Sequence, residues 1–165
     1  FSLLEEKRNR AIIRTFLFTG IRLSELLDLK TTAVNLEQDL ITIYQGKGRK
    51  DRIIPIHPLL MPYLKTYNIQ KGRKPTSYFF SSIRSDKPLT KNNLYRIFKI
   101  LRNQVDFAFT PHQLRHTFGK LAIEANLNPF ILQKLMGHAS INTTQIYVSV
   151  SDKILKETFQ KASLL

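Results

Sequence analysis

The sequence Thr110-Pro111-His112-Gln113-Leu114-Arg115-His116-Thr117-Phe118 decides the interpretation of this chain of 165 residues. Thr110 is a favourable N-cap and Pro111 suits the first helical position, so a helix is predicted to begin here. His112 then lies in the first turn, and Arg115 follows three residues later on the same face. Helix N-termini attract anions, and a guanidinium group matches phosphate oxygens. Taken alone, the stretch is equally compatible with a phosphate-binding helix start and with an ordinary capped surface helix.

The chain is strongly basic. It contains 26 Lys plus Arg against 12 Asp plus Glu, which gives a formal net charge of +14. The basic residues are spread over several segments, and this distribution suits broad contact with double-stranded DNA better than a single basic tail would. The segments are residues 7–10, 47–52, 71–74 and 91–102. A polyanionic partner is therefore predicted, although charge alone leaves open a ribosomal or merely soluble basic protein.

Length and composition indicate one globular domain. Hydrophobic residues make up 42% of the chain, and 165 residues are too few for two domains of ordinary size. The lack of cysteine excludes disulfides and thiolate metal sites, and it favours an intracellular, cytoplasmic location. No apolar run approaches the length of a membrane span, and no signal peptide is evident. Because the chain opens at Phe1 rather than at Met, we expect an excised domain that lacks an upstream segment.

Hydrophobic spacing predicts a mostly helical protein with a small antiparallel sheet. Ser2 and Glu5 form a capping-box pattern for a first helix that Gly20 ends, and a shorter helix follows over residues 23–29. Two β-branched segments, residues 39–44 and 52–56, flank a basic turn and predict a β-hairpin.

Further elements are predicted along the rest of the chain. They are a third short strand at 78–81, a helix from Thr90, a helix from Pro111 with Leu114, Phe118, Leu121 and Ala122 as its apolar residues, a helix from Asn128-Pro129 to Met136-Gly137, a helix capped by Ser140 that ends near Tyr147, and a last helix over 154–162 capped by Asp152.

Four more segments extend the phosphate-binding pattern of residues 110–118. They are Thr19-Gly20-Ile21-Arg22-Leu23-Ser24-Glu25-Leu26, Gly46-Lys47-Gly48, Leu135-Met136-Gly137-His138 and Tyr147. Together with His112-Gln113-Leu114-Arg115 they resemble, in content and in order, the signature of tyrosine recombinases, the phage-integrase and Xer-like family. The resemblance covers about residues 3–162 and matches six positions with their local contexts. It implies an α+β, mostly helical catalytic domain over residues 1–165, preceded in the full protein by a helical core-binding domain.

The resemblance assigns a role to each of the six residues. Arg22 and Arg115 would clamp the scissile phosphate, Tyr147 would attack it, and Lys47 would protonate the leaving 5′ oxygen. His112 matches the general acid/base position, and His138 matches a position that contacts the phosphate. The implied function is a site-specific DNA recombinase or integrase that cleaves and rejoins strands through a 3′-phosphotyrosyl intermediate. The implied assembly is a homotetramer on two DNA sites.

Elementary chemistry explains why this set of residues suits the reaction. Attack on a phosphodiester builds negative charge on the non-bridging oxygens, which two fixed arginines can compensate. A phenol with a pKa near ~10 needs a proton acceptor and a cationic field before it attacks. A lysine whose pKa is lowered by neighbouring cations can protonate the leaving oxygen.

No cofactor or metal is expected. The phosphotyrosyl ester retains the bond energy, so religation needs no ATP, and residues 46–50 lack the Walker spacing. His112 and His116 lie four residues apart, but they lack the carboxylate of the zincin pattern.

Several of these residues also have a structural interpretation. Arg22 can pair with Glu25 on one helix, although we prefer the catalytic role with Glu25 as its support. Lys47 can be a solvated turn charge, and His138 can simply close a helix. The neighbours of Lys47, namely Arg49, Lys50 and Arg52, are expected to contact phosphate or solvent. His57 is interpreted as structural, and the tyrosines other than Tyr147 mostly as core or surface aromatics.

Two other functions remain open at this point. A type IB topoisomerase shares the chemistry but relaxes supercoils alone, and a non-catalytic DNA-binding protein would use only the charge. The last segment, residues 154–165, carries the predicted helix, which can pack on its own domain or dock on a neighbouring subunit. The DNA target sequence and the biological role, whether phage integration, conjugative transposition or chromosome-dimer resolution, are not readable from these motifs.

Overall fold

The structure, a computed structural model, describes residues 2–44, 51–71, 78–82, 87–103, 105, 107 and 109–137. These residues form helices with a small sheet inserted after the second helix. In chain order the elements are α1 (Leu3–Thr19), α2 (Leu23–Asp28), a 3-10 turn (Thr31–Ala33), β1 (Val34–Asn35), β2 (Leu40–Ile43), β3 (Arg52–Pro55), α3 (Met61–Lys71), α4 (Lys91–Arg102), α5 (Pro111–Glu124) and α6 (Pro129–Met136). The predicted α+β, mostly helical class is confirmed. None of the helices in these ranges has the length and apolarity to cross a membrane.

Helix α1 lies at the centre of the fold and packs against α3 and α5. It begins with the predicted capping box, in which the Ser2 hydroxyl accepts from the Glu5 N–H while the Glu5 carboxylate accepts from the Ser2 N–H. It ends at Gly20, whose φ of 59° lies in the left-handed region. A Cβ atom at Gly20 would lie 2.4 Å from Cδ1 of Phe118 on α5. Glycine therefore satisfies both the backbone turn and the close contact with α5.

The three strands form an antiparallel sheet in the order β1-β2-β3. Strands β2 and β3 pair from Leu40 opposite Pro55 to Ile43 opposite Arg52, so the predicted hairpin is confirmed. Its tip, residues 45–50, lies outside the described residues. Alternation along β3 turns Arg52 and Ile54 toward the interior.

The third strand predicted at residues 78–81 is wrong. Within the described ranges Tyr78 and Ser81 make isolated bridges, to Lys30 and Pro88, and the third strand of the sheet is β1. Between them, Phe79 and Phe80 are consecutive and both buried. A strand sends successive side chains to opposite faces, so a segment that buries both rings in one core does not continue as a regular strand.

Helix α3 is an element that the spacing of apolar residues did not reveal. It buries Leu64 and Tyr67, and the Tyr67 ring lies 5.9 Å from that of Phe79 and 5.6 Å from that of Phe80. Most of the remaining surface of α3 is polar or aromatic, with Pro62 in its first turn, and this composition resembles a loop as much as a helix.

Helices α4, α5 and α6 begin at the predicted caps. Thr90 and Thr110 accept hydrogen bonds from the backbone N–H groups three residues later, and Asn128 caps α6 ahead of Pro129. Helix α6 ends at Gly137 with φ 64°. The helices predicted beyond Ser140 lie outside the described residues.

One side chain predicted on the apolar face of α5 is misplaced. Leu121 is 49% exposed, because the buried positions of α5 recur every four residues, at Pro111, Arg115, Gly119 and Ile123. Leu121 lies two residues from both Gly119 and Ile123, and so it projects from the opposite side of the helix.

Candidate active site

A cleft of about 580 Å³ lies where α2, α4 and the first turn of α5 meet. Among the described residues it is lined by Ile21, Arg22, Leu23, Tyr95, Thr110, Pro111, His112 and Arg115. The fold thus brings together three of the six residues singled out from the sequence, namely Arg22, His112 and Arg115. The other three, Lys47, His138 and Tyr147, lie outside the described residues.

Arg22 enters the cleft from the N-cap position of α2. Its Nη1 donates to Oε1 of Glu25 at 3.0 Å, and its Nη2 donates to the carbonyl oxygen of Gly137. The Arg22 side chain remains 33% exposed, so it is held in place and still open to the cleft. The pairing with Glu25 that the sequence allowed is therefore present, and it coexists with a position that a ligand can reach.

Arg115 lies one turn into α5, and its buried side chain lines the inner wall of the cleft. It is 8% exposed, its Nη1 donates to the carbonyl oxygen of Gly20, and its Nη2 donates to that of Met136 at 2.9 Å. Carbonyl groups at helix C-termini lack intrahelical partners and carry the negative end of the helix dipole, so a cation suits them. Arg115 therefore joins the ends of α1 and α6 while it lines the cleft.

Arg52 forms the best-paired ionic contact of this region. Its Nη1 and Nη2 donate to Oε1 and Oε2 of Glu25 at 2.7 and 2.8 Å, and its Nε donates to the carbonyl oxygen of Leu135 at 2.8 Å. Its side chain is only 8% exposed. The prediction that Arg52 contacts phosphate or solvent is wrong, because its register on β3 turns it inward toward Glu25. The alternation with Ile54 was the signal in the sequence that pointed inward.

Glu25 is the acidic centre of the cluster. Burial alone would raise the pKa of its carboxyl group, but hydrogen bonds from Arg52 and from the backbone and side chain of Arg22, with the charge of Arg52, outweigh burial and lower it to about 2. Glu25 is therefore ionised at neutral pH and balances part of the positive charge around it.

The C-terminus of α6 is held by three arginines. The successive carbonyl groups of Leu135, Met136 and Gly137 accept from Arg52, Arg115 and Arg22, respectively. A Cβ atom at Gly137 would lie 2.9 Å from Nη1 of Arg52 and 3.1 Å from Nη1 of Arg22. Gly137 therefore provides both the left-handed turn and the space for two guanidinium groups.

His112 and Tyr95 complete the polar lining. His112 is exposed in the first turn of α5, where its imidazole faces the cleft. Tyr95 projects from α4 and is 53% exposed. Sequence reasoning gave Tyr95 no role in the cleft, because α4 is far from α2 and α5 along the chain and nothing local connects them.

His57 lies apart from this cleft. Its ring stacks on Phe18 with centroids 5.0 Å apart, and its Nδ1 accepts from the Leu59 N–H at 3.1 Å. These contacts agree with the structural interpretation of His57.

Comparison with known proteins identifies the family. A family model described as the phage integrase family matches residues 3–153. The chain belongs to the phage integrase family. Tyrosine recombinase XerA of Pyrococcus furiosus is 40% identical to this integrase-family chain over 159 residues, which cover 96% of the chain and 56% of the relative.

Solved structures of integrase-family recombinases share the fold. The crystal structure of XerA recombinase matches with a TM-score of 0.81 and 31% identity over 94% of this chain and 58% of that one. The pre-cleavage complex of XerH site-specific recombinase with its difH substrate matches with a TM-score of 0.75 and 28% identity over 98% and 48%. This chain spans little more than half the length of the curated relatives it matches. The resemblance inferred from the motifs is confirmed, and the roles of the six residues stay predictions.

Proposed function

We propose that this phage-integrase-family chain is the catalytic domain of a site-specific DNA recombinase or integrase, acting through a 3′-phosphotyrosyl intermediate. The observation that carries the proposal is the convergence on one cleft of Arg22, at the N-cap of α2, with His112 and Arg115 of α5. The kinship with proteins named tyrosine recombinases supports it. So does the similarity to XerH bound to its difH substrate.

The charge of the cleft suits a phosphodiester under attack. Arg22 and Arg52 both bind the carboxylate of Glu25, and Arg115 also lines the cleft, so the described residues leave a positive excess beside His112. Negative charge grows on the non-bridging oxygens as the phosphorus becomes five-coordinate, and preorganised cations stabilise that charge most where water is scarce. Arg22 and Arg115 would each hold these oxygens, since both line the cleft.

In the proposed reaction the phenolic oxygen of Tyr147 forms a bond to phosphorus as the bond from phosphorus to the 5′ oxygen breaks. His112 accepts the phenolic proton, Lys47 donates a proton to the leaving 5′ oxygen, and His138 donates a hydrogen bond to the phosphate. Attack by a 5′ hydroxyl on the phosphotyrosine reverses these steps and joins the strand without ATP. No cofactor takes part in this scheme.

Double-stranded DNA is the proposed partner, and α4 offers a basic surface next to the cleft. Lys91, Arg96 and Lys99 are exposed on α4, and Tyr95 on the same helix lines the cleft. Lysine and arginine side chains on such a surface contact phosphates and fix the register of the protein on the duplex. In the full protein we propose an upstream core-binding domain that completes a clamp, and a homotetramer on two DNA sites.

A nicked suicide DNA duplex tests the proposed chemistry. The short fragment that bears the new 5′ hydroxyl dissociates, which traps the covalent complex, and the complex is read as a shifted band on a denaturing gel. The wild-type protein should form the adduct, and Tyr147→Phe should form none. Tyr95→Phe is the control, because Tyr95 is the tyrosine among the described residues that lines the cleft, and it should still form the adduct. An adduct that survives in Tyr147→Phe and disappears in Tyr95→Phe would reassign the nucleophile.

Two further assays with the wild-type protein distinguish recombination from the alternative functions. Holliday-junction formation between two sites supports a recombinase, whereas supercoil relaxation without strand exchange favours a topoisomerase. DNA binding with no adduct under any condition favours a non-catalytic DNA-binding protein.

A further inference from the structure

We propose that Arg52 is a positioning residue of the phosphate clamp, which acts by holding Glu25 and the end of α6 so that Arg22 faces the cleft. This inference rests on the proposed function. It concerns a side chain outside the described lining of the cleft, so the role proposed for it is to position other groups. Its effect is transmitted through one carboxylate and one backbone carbonyl.

The contacts divide the charge of Glu25 unequally. Arg52 binds both carboxylate oxygens, at 2.7 and 2.8 Å, whereas the Arg22 side chain binds only Oε1, at 3.0 Å. Arg52 is also the more buried of the two arginines, with 8% of its side chain exposed against 33% for Arg22. A bidentate pair in a buried position is the stronger one. Arg52 therefore neutralises most of the carboxylate, and the charge of Arg22 remains available to a phosphate.

Removal of Arg52 would reverse this balance. Of the two arginines, only Arg22 would then remain to pair with Glu25. An ionised carboxylate in a buried site attracts its counter-ion strongly. Arg22 would then be turned toward Glu25 and its charge partly cancelled. A phosphate in the cleft would meet a weaker clamp, although both clamp arginines were still present.

A second contact connects Arg52 to the segments that contain the other predicted site residues. Its Nε donates to Leu135 at the end of α6, which leads in sequence to His138, and Arg52 itself follows the hairpin tip that contains Lys47. One guanidinium group thus joins α2, β3 and α6. Small displacements of reacting groups slow catalysis strongly, so this link contributes to the rate as well as to the fold.

A double-mutant cycle tests the charge argument. The variants are Arg52→Met, Glu25→Gln and the double variant, with Lys120→Met as a control, since Lys120 pairs with Glu124 on exposed α5 surface. Adduct formation is timed at saturating suicide DNA. Arg52→Met should slow it by roughly 10–100-fold, by analogy with the loss of groups that orient metal ligands from the outer shell. DNA affinity should change much less than the rate, and Lys120→Met should match the wild-type rate.

The double variant separates positioning from simple support. Glu25→Gln combined with Arg52→Met should cleave faster than Arg52→Met alone, because the carboxylate that withdraws Arg22 is gone. Arg52→Lys, which keeps the charge but not the fork, should be intermediate. A wild-type rate in Arg52→Met, or a double variant as slow as Arg52→Met, would overturn the proposal. Thermal unfolding of each variant checks that it is folded. If Arg52→Met does not fold, the rate of Arg52→Lys is compared with the wild-type rate instead.

A measurement independent of cleavage separates failure of this inference from failure of the proposed function. If wild-type protein forms no adduct, the proposed function fails, yet a carboxyl NMR titration still reports on the link. The Glu25 pKa should rise from about 2 when Arg52 is replaced by Met, because burial is then less opposed. An unchanged Glu25 pKa in Arg52→Met would show that Arg52 does not control this carboxylate.

Discussion

Arg115 donates a hydrogen bond to the carbonyl oxygen of Met136 at 2.9 Å, so a residue proposed to clamp phosphate also closes the C-terminus of a helix. Its other terminal nitrogen, Nη1, donates to the carbonyl of Gly20, at the end of α1. Arg22 contacts the next carbonyl of α6, that of Gly137, but is far more exposed. The two proposed clamp residues therefore differ in how much of the fold depends on them.

The first prediction separates these two arginines. Arg115→Gln and Arg22→Gln should each reduce adduct formation by at least about 100-fold, as loss of a preorganised donor does. Arg115→Gln should also lower the free energy of unfolding by about 2–4 kcal/mol, because two buried carbonyls lose a charged donor. Arg22→Gln should lower it by less than about 1 kcal/mol, since Glu25 keeps Arg52. Urea unfolding measures the difference, and equal losses in the two variants would contradict it.

The second prediction concerns pH. The pKa of Glu25 falls from its ordinary 4.5 to about 2 on folding, so the protonated form is disfavoured in the native state. The ionised carboxylate therefore adds stability that is complete above about pH 4.5 and is lost as the pH falls toward 2. The contribution is of order 3 kcal/mol at most.

Unfolding of Glu25→Gln at a series of pH values measures this term. The variant should be less stable than the wild type at pH 7, and the gap should close between about pH 4.5 and 2. Glu124→Gln, which removes an exposed pair with Lys120, should show little gap at any pH. A gap for Glu25→Gln that stays constant down to pH 2 would refute the assignment.

The third prediction compares two glycines with left-handed φ angles. Gly20→Ala should destabilise the protein by about 2–4 kcal/mol, because backbone strain adds to a clash with the Phe118 ring. Gly137→Ala should destabilise it by about 1–2 kcal/mol, because the nearest atoms belong to flexible arginine side chains.

Gly137→Ala should nevertheless slow cleavage more than Gly20→Ala does, relative to the stability that each variant loses. The reason is that the new methyl group displaces Arg22 and Arg52. Asn126→Gly is the matched control, because Asn126 also has a positive φ, of 61°, and lies outside the cleft lining. Thermal unfolding and the adduct rate at saturating DNA are measured for each variant. A Gly137→Ala protein that cleaves at the wild-type rate would argue against the role of Gly137 in spacing the two guanidinium groups.

The fourth prediction concerns the basic surface of α4. Lys91→Gln and Lys99→Gln should each reduce the steepness of the fall of log Kobs with log salt by about 1, as expected for one lost phosphate contact. Lys120→Gln on α5 should change this slope much less. Fluorescence anisotropy with a labelled duplex at several salt concentrations gives the slopes, and three equal slopes would argue against α4 as the DNA-facing helix.

Local structure was the part of the fold that could be predicted well. The capping box at Ser2 and Glu5, the Thr110-Pro111 start of α5 and the stop at Gly20 all lie where they were expected. These signals depend on residues within one helical turn, so neighbouring residues contain the information. The predictions that failed concern burial. Leu121 was assigned to the apolar face and is exposed, and residues 78–81 were assigned to a strand because their context in the core was unknown.

The sequence by itself identified the family and the residues predicted to bear the chemistry, and three of these, Arg22, His112 and Arg115, share a cleft. Only the tertiary structure decided how their charge is distributed. The pairing of Arg52 with Glu25 and the three arginines on the last carbonyls of α6 join residues far apart in the chain. Periodicity indicates which face of an element is buried, but a buried charge is stabilised by a particular partner. That partner is defined only when α2, β3 and α6 come together.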